Sequence, residues 1–183
     1  MSNEYALNEF DLDAKLTVAE RLETFGFHLR HPEILEAEFI DAEDEVLWAW
    51  GNASDGSDTY AFSHIVSIDY EMIYTDDDYP DFIQKIAQAA GVEDQLSNVS
   101  SRFSENYRDI TVTYTFDDKY RELNFEQLND WIPEDVADFI IKDITTIPGR
   151  VRLGEYEGQG LTLVWIYPDK LEEFLALEPD FQP

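Results

Sequence analysis

The sequence predicts an α+β fold: a mainly antiparallel sheet built from hairpins, with three to four short helices. Two observations carry that expectation. Apolar and polar residues alternate in several stretches, as where Ile110, Val112, Tyr114 and Phe116 are interleaved with Thr111, Thr113 and Thr115, and successive side chains of a strand point to opposite faces. Between such stretches apolar residues recur at helical spacing, as in Phe82, Ile83, Ile86, Ala87 and Ala90. At 183 residues, 44% hydrophobic and 14% aromatic, the chain is long and apolar enough to bury a sizeable core. Residues 1–14 read as a loosely ordered N-terminal segment and 15–183 as a single domain.

The first helix is announced by Thr17 and Glu20, a capping box, and by Val18, Leu22 and Phe25 at helical spacing before Gly26. From Leu35 the period becomes two. Leu35, Ala37 and Phe39 alternate with Glu36 and Glu38, Ala42 to Asp44 suggest a turn, and Val46, Trp48 and Trp50 suggest the returning strand. GNASDGSD, residues 51–58, is a loop by composition. A long strand follows over 59–74, with Val66, Ile68, Tyr70, Met72 and Tyr74 on one face and Ser67, Asp69 and Glu71 on the other. Asp76, Asp77 and Asp78 precede a helix closed by Gly91, where one carboxylate is expected to serve the helix start.

Residues 95–104 carry no clear period. Asp109 to Phe116 is a strand that Asp117 and Asp118 turn back through Lys119 to Phe125. A second long helix opens at Ile132 and Pro133, with Val136, Phe139, Ile140 and Ile144 expected inward. Arg150 to Tyr156 and Leu161 to Tyr167 form a last hairpin, whose second strand is apolar on both faces and is therefore expected to be central or covered by a helix. A closing helix over 169–177 packs Leu171, Phe174 and Leu175.

Charge is the unusual property. Aspartate and glutamate number 41 against 12 lysines and arginines, a net charge of -29. Charge of that size repels itself and works against the compact state, so it answers either an environment or a partner. It is also uneven: between Arg30 and Lys85 there are fifteen carboxylates and no lysine or arginine. There are no cysteines, which removes disulfides, thiol nucleophiles and cysteine metal sites. The start has no basic region leading into an apolar run and no later stretch reads as a membrane span, so the chain is expected in the cytoplasm. Without a basic patch, neither nucleic acid nor an anionic membrane surface is expected as a direct partner.

The motifs of catalysis are weak. His28, His31 and His64 are too few and too scattered to announce a metal site, and no metal or cofactor is expected. Neither the 51–58 loop nor the triplet Asp76 to Asp78 follows the twelve-residue calcium-loop pattern. Gly154, Gly158 and Gly160 lack the lysine and following helix of a phosphate loop, and no G-x-S-x-G elbow is present. Among so many acids, carboxylate pairs at glycosidase-like separation arise by chance.

The expectation is thus a non-catalytic, acidic protein-binding inhibitor that engages the basic surface of a nucleic-acid-acting protein, as a toxin immunity protein or a nucleic-acid mimic does. The residues expected at its interface are Glu36, Glu38, Asp41, Glu43, Asp44, Glu45, Trp50, Asp69, Glu71, Asp76, Asp77 and Asp78. A housekeeping or structural protein adapted to high salt is the alternative, and a small hydrolase using paired carboxylates is the next.

Overall fold

A computed structural model of the chain describes residues 19–37, 61–71, 73–127 and 129–183. Within them run five helices and eight strands, all sheet pairing is antiparallel, and the α+β class holds. In order, α1 spans 19–25, β1 His28–Leu29, α2 Pro32–Ala37, β2 Phe62–Ser63, β3 Ile65–Asp69, and α3 Asp78–Ala90. Next come β4 Leu96–Phe103, β5 Asp109–Phe116, β6 Lys119–Glu126, α4 Glu134–Ile144, β7 Val151–Glu157, β8 Gly160–Ile166, and α5 Leu171–Leu177.

The strands form one small pair, β1–β2, and two three-stranded sheets ordered β3–β8–β7 and β4–β5–β6. Strand β8 is central, as its two apolar faces suggest, with Val164 opposite Ile65 on one side and Leu153 on the other. Val66, Ile68, Leu161, Leu163 and Trp165 face a core that also holds Phe82, Ile83 and Ile86 of α3, Ile140, Ile141 and Ile144 of α4, and Ile110, Val112 and Tyr114 of β5. The opposite face, through Ile65, Leu153, Val164 and Ile166, packs on Leu22 and Phe25 of α1 and on Phe174 of α5. Full burial of side chains of this size contributes roughly 1.5–3 kcal/mol each.

Local chemistry explains the joints. Asp117 and Asp118 have φ of 49° and 58°, and positive φ at both central residues is the turn that matches strand twist in a two-residue hairpin. Gly91 closes α3 with φ 71° and donates its N–H to Gln88, a left-handed cap that needs no side chain. The sheets are tied where Tyr70 and Ile73 meet Asp130 and Ile132: Ile73 N–H donates to the Asp130 carbonyl and Ile132 N–H to that of Tyr70, both at 3.0 Å.

Several expectations change. Leu35 to Ala37 belong to α2, not to a strand: Pro32 at the helix start and Glu33 in the first turn outweigh the short alternation that follows. The long strand over 59–74 is broken at His64, whose φ of 68° splits β2 from β3. Residues 96–103, without a clear period, form β4, in which a register shift between Ser97 and Ser100 interrupts the alternation. On α4 the inward set is Val136, Ala137, Ile140, Ile141 and Ile144, while Phe139 points out at 45% exposure. The capping box at Thr17, the N-terminal segment and the hairpin through Trp48 and Trp50 lie outside the described residues.

Candidate functional site

Of the twelve expected interface residues, Glu38, Asp41, Glu43, Asp44, Glu45 and Trp50 lie outside the described residues. Glu36 falls in α2. The remaining five are clustered by the fold, because the chain from Asp69 to Asp78 runs between two neighbours. On one side Glu71 pairs with Trp131 in an isolated antiparallel bridge. On the other, Asp76 reaches the outer edge of β4, where its Oδ1 accepts the Phe103 N–H at 2.7 Å.

These carboxylates have distinct tasks. Asp78 Oδ2 accepts the N–H groups of Tyr74 at 2.5 Å and Thr75 at 2.6 Å, turning the chain into α3. The helix thus gains a carboxylate in its first turn, where the macrodipole favours negative charge, though the N-cap Asp77 makes no side-chain cap bond. Asp76 occupies a donor on a sheet edge that would otherwise face outward. Asp69 Oδ1 accepts the Glu71 N–H at 2.8 Å, and the Glu71 carboxylate accepts from the Gln159 amide. Asp77 is exposed, and among the described residues its side chain has no hydrogen bond or ion pair.

Aromatic side chains stand among these acids. Tyr74 is 64% exposed, Tyr107 74% and Trp131 38%. Tyr74 leaves the inward face expected of it because β3 ends at Asp69 and the chain then turns about the Asp78 carboxylate. The Tyr74 phenol is pushed above its ordinary pKa, first by desolvation, then by hydrogen bonding to Asp130 and by the charges of Asp130, Glu71 and Asp69. Beside it opens a cleft of about 590 Å³, lined by Tyr74, Thr75, Asp76, Arg102, Phe103, Ser104, Glu105 and Tyr107. The Phe103 and Tyr107 rings stand 6.1 Å apart at its wall.

Tyr107, Glu105, Asp130 and Trp131 were not foreseen. Glu105 and Tyr107 sit in the turn between β4 and β5, and Asp130 and Trp131 in the connection from β6 to α4, and connecting segments of this kind run over the surface. The result is a surface of exposed rings edged by carboxylates, suited to cations through charge pairing and through ring faces. Among the described residues no group of three or more His, Asp or Glu is placed to hold a metal ion.

The bases are mostly engaged within the fold. Arg121 forms a two-pronged contact with Asp143 at 3.0 and 2.9 Å. Arg150 donates to the carbonyls of Gly26 at 2.8 Å and Trp165 at 3.0 Å and lies 4.4 Å over the Tyr167 ring. Arg30 pairs with Glu93, Arg108 with Glu126, Lys119 with Asp117 and Lys170 with Glu173. No described helix is long and apolar enough to cross a membrane. Comparison of the chain with protein-family models, with curated proteins and with solved structures finds no match.

Proposed function

We propose that the chain is a non-catalytic cytoplasmic binding protein that occupies the basic surface of a nucleic-acid-acting protein, such as a nuclease or toxin, through carboxylates placed where phosphates would otherwise sit. The observation that carries this reading is the charge balance. Were each of the 12 bases paired with one acid, 29 carboxylates would still lack a cationic partner. Fold stability alone gives no reason for that excess, whereas a basic partner gains both encounter rate and orientation from it.

The surface around Tyr74 adds a second support. Exposed rings with carboxylates around them follow the composition of tight interfaces, in which aromatic anchors are desolvated and charges form the rim. The acid-rich stretch from Glu38 to Glu45 is proposed to extend the same negative field.

The test is a pull-down with the tagged protein from its native host, eluted by a salt gradient and identified by mass spectrometry. A basic nuclease or other nucleic-acid-binding protein, released steeply with salt, is the expected result. Changing Glu43, Asp44 and Glu45 together to Ser should weaken that complex at low salt, and unchanged binding removes the stretch from the interface. Recovery of no partner, together with a protein that folds only in molar salt, would favour the high-salt alternative.

A further inference from the structure

The two edges of sheet β4–β5–β6 are built differently. On β4 the register shifts between Ser97 and Ser100, and the Asp76 carboxylate takes the Phe103 N–H, two devices that discourage further strand pairing. Strand β6 has neither. It keeps one register with β5 from Lys119 to Glu126, without proline or bulge, and it ends the strand order of its sheet.

One bond fixes the direction of its backbone groups. Gln127 N–H donates to the Arg108 carbonyl at 2.8 Å, one step beyond the pair Asp109 and Glu126. Backbone groups alternate in direction along a strand, so Lys119, Arg121, Leu123 and Phe125 turn theirs to β5. Tyr120, Glu122, Asn124 and Glu126 turn their N–H and C=O groups outward, where no described strand is paired to them.

The side chains indicate what kind of strand fits. On the inner face, Ile110, Val112 and Tyr114 of β5 are fully buried, while Leu123 and Phe125 of β6 continue the same apolar layer and remain half-buried. The layer thus ends one strand short of cover. On the outer face Tyr120 is exposed, its phenol donates to Glu122 at 2.8 Å, and the Asn124 amide donates to Glu122 at 3.1 Å. Nearby charges are matched within the fold, Glu126 by Arg108, Lys119 by Asp117 and Arg121 by Asp143. Glu122 alone on this strand is an acid without a basic partner among the described residues.

We propose that β6 accepts an added strand from another protein, an extended segment in which lysine or arginine alternates with apolar residues. Its backbone would complete the outward groups of β6, its apolar side chains would cover Leu123 and Phe125, and its cations would meet the Glu122 carboxylate and the Tyr120 ring. The positive charge of that segment rests on the function proposed above, whereas the open edge does not. Two other occupants are opposed by charge. A second copy paired through β6 about a two-fold axis would gather Glu122 of both chains on one face, in a dimer of chains that each carry a net charge of -29. Residues 38–60 contain acids but no lysine or arginine, so they too would add negative charge beside Glu122.

Amide hydrogen exchange of the whole chain, followed by nitrogen-labelled NMR at about 0.15 M salt to screen long-range attraction, tests this. The probes are a capped peptide of alternating valine and lysine, the same peptide N-methylated at alternate residues, and a peptide of alternating valine and glutamate. In the free chain the Glu122, Asn124 and Glu126 amides should exchange faster than those of Leu123 and Phe125. Saturation with the lysine peptide should slow those three amides about tenfold or more, and neither control should do so. Asn124→Pro removes an outward N–H at an edge position where proline is tolerated, and should abolish the protection. Because proline in a strand can also damage the fold, Glu122→Lys serves as the second variant, expected to reverse the preference toward the glutamate peptide. Amides of Glu122, Asn124 and Glu126 already protected in the free chain would mean that a second copy or the chain itself covers the edge, and would overturn the proposal. So would equal protection by the N-methylated or the glutamate peptide. Recovery of the same basic partner by the parent chain and by folded Asn124→Pro would overturn this proposal and leave the proposed function standing. Failure to recover a basic partner, with the lysine peptide still protecting β6, would remove that function and keep the edge as a strand acceptor.

Discussion

The two three-stranded sheets obey different rules. Sheet β3–β8–β7 is buried on both faces, with Trp165 in one core cluster and Val164 in the other. Sheet β4–β5–β6 buries only one. Its outer face is a ladder of hydroxyl, amide and carboxylate groups, in which Ser100 meets Thr113 at 2.8 Å, and Thr111 donates to Asn124 at 2.7 Å while Asn124 donates to Glu122 at 3.1 Å. The first sheet therefore anchors the fold, and the second can carry charge outward without disturbing a core. The proposed interface lies near their junction, where the tie at Tyr70 and Ile73 brings acids of one sheet beside turns of the other.

The largest effect that would sharpen this contrast is Trp165→Ala, expected to cost about 3–5 kcal/mol in urea denaturation. Thr113→Ala on the outer face of the second sheet should change stability by about 0.5 kcal/mol or less. Comparable losses at the two positions would mean that the outer face is also covered.

Next comes the tie itself. Gln127 is 3% exposed, accepts the Tyr79 hydroxyl at 2.9 Å and donates to the carbonyls of Ile73 at 3.4 Å and Asn129 at 2.9 Å. Gln127→Ala strands those buried groups and should cost about 2–3 kcal/mol. Hydrogen exchange should show faster opening at Ile73 and Ile132 than in β8.

A subtler difference is set by pH. His64 has its pKa lowered to about 3 by burial, then by Arg150, His28 and Arg30. Its ring stays neutral in the fold while the unfolded chain takes up a proton below about 6.5. Its contribution to stability is thus complete above that pH and is lost as pH falls toward 3. His64→Asn, which tolerates the left-handed backbone, should flatten this part of the stability profile relative to the parent chain. Identical profiles would remove His64 from the account. Direct comparison of the two chains is needed because protonating carboxylates relieves self-repulsion in both.

The smallest expected effects separate the three consecutive aspartates. Asp78→Ala should cost about 1 kcal/mol through its two backbone N–H contacts, while Asp77→Ala should leave the melting midpoint in place. Equal losses would break the distinction between fold-serving and outward carboxylates.

Much of this architecture is legible in local periodicity. Strand β5, the β7–β8 hairpin and the buried face of α3 follow from alternation and helical spacing because those patterns persist over seven or more residues. Helix α2 is less legible because a six-residue segment can satisfy both periods, and only its proline start separates them. Phe139 misleads because one step around a helix moves a side chain by about 100°, while Ile141 takes the inward place. The acids of the candidate site are visible in composition, but their grouping with Tyr74, Asp130 and Trp131 is not. It depends on a bridge between residues 71 and 131, a long-range contact that no local pattern announces.

The Asp76 carboxylate on the edge of β4 has an evolutionary consequence. A surface selected for negative charge can ordinarily drift, since one acid substitutes for another a few residues away. Here the first and third members of the triplet are held by backbone N–H groups, so Asp77 is the member whose replacement would cost the fold least. Loss of Asp76 would also uncover a strand edge capable of pairing with another chain. Sequence change at this point would therefore be filtered by self-association before any question of partner choice arose.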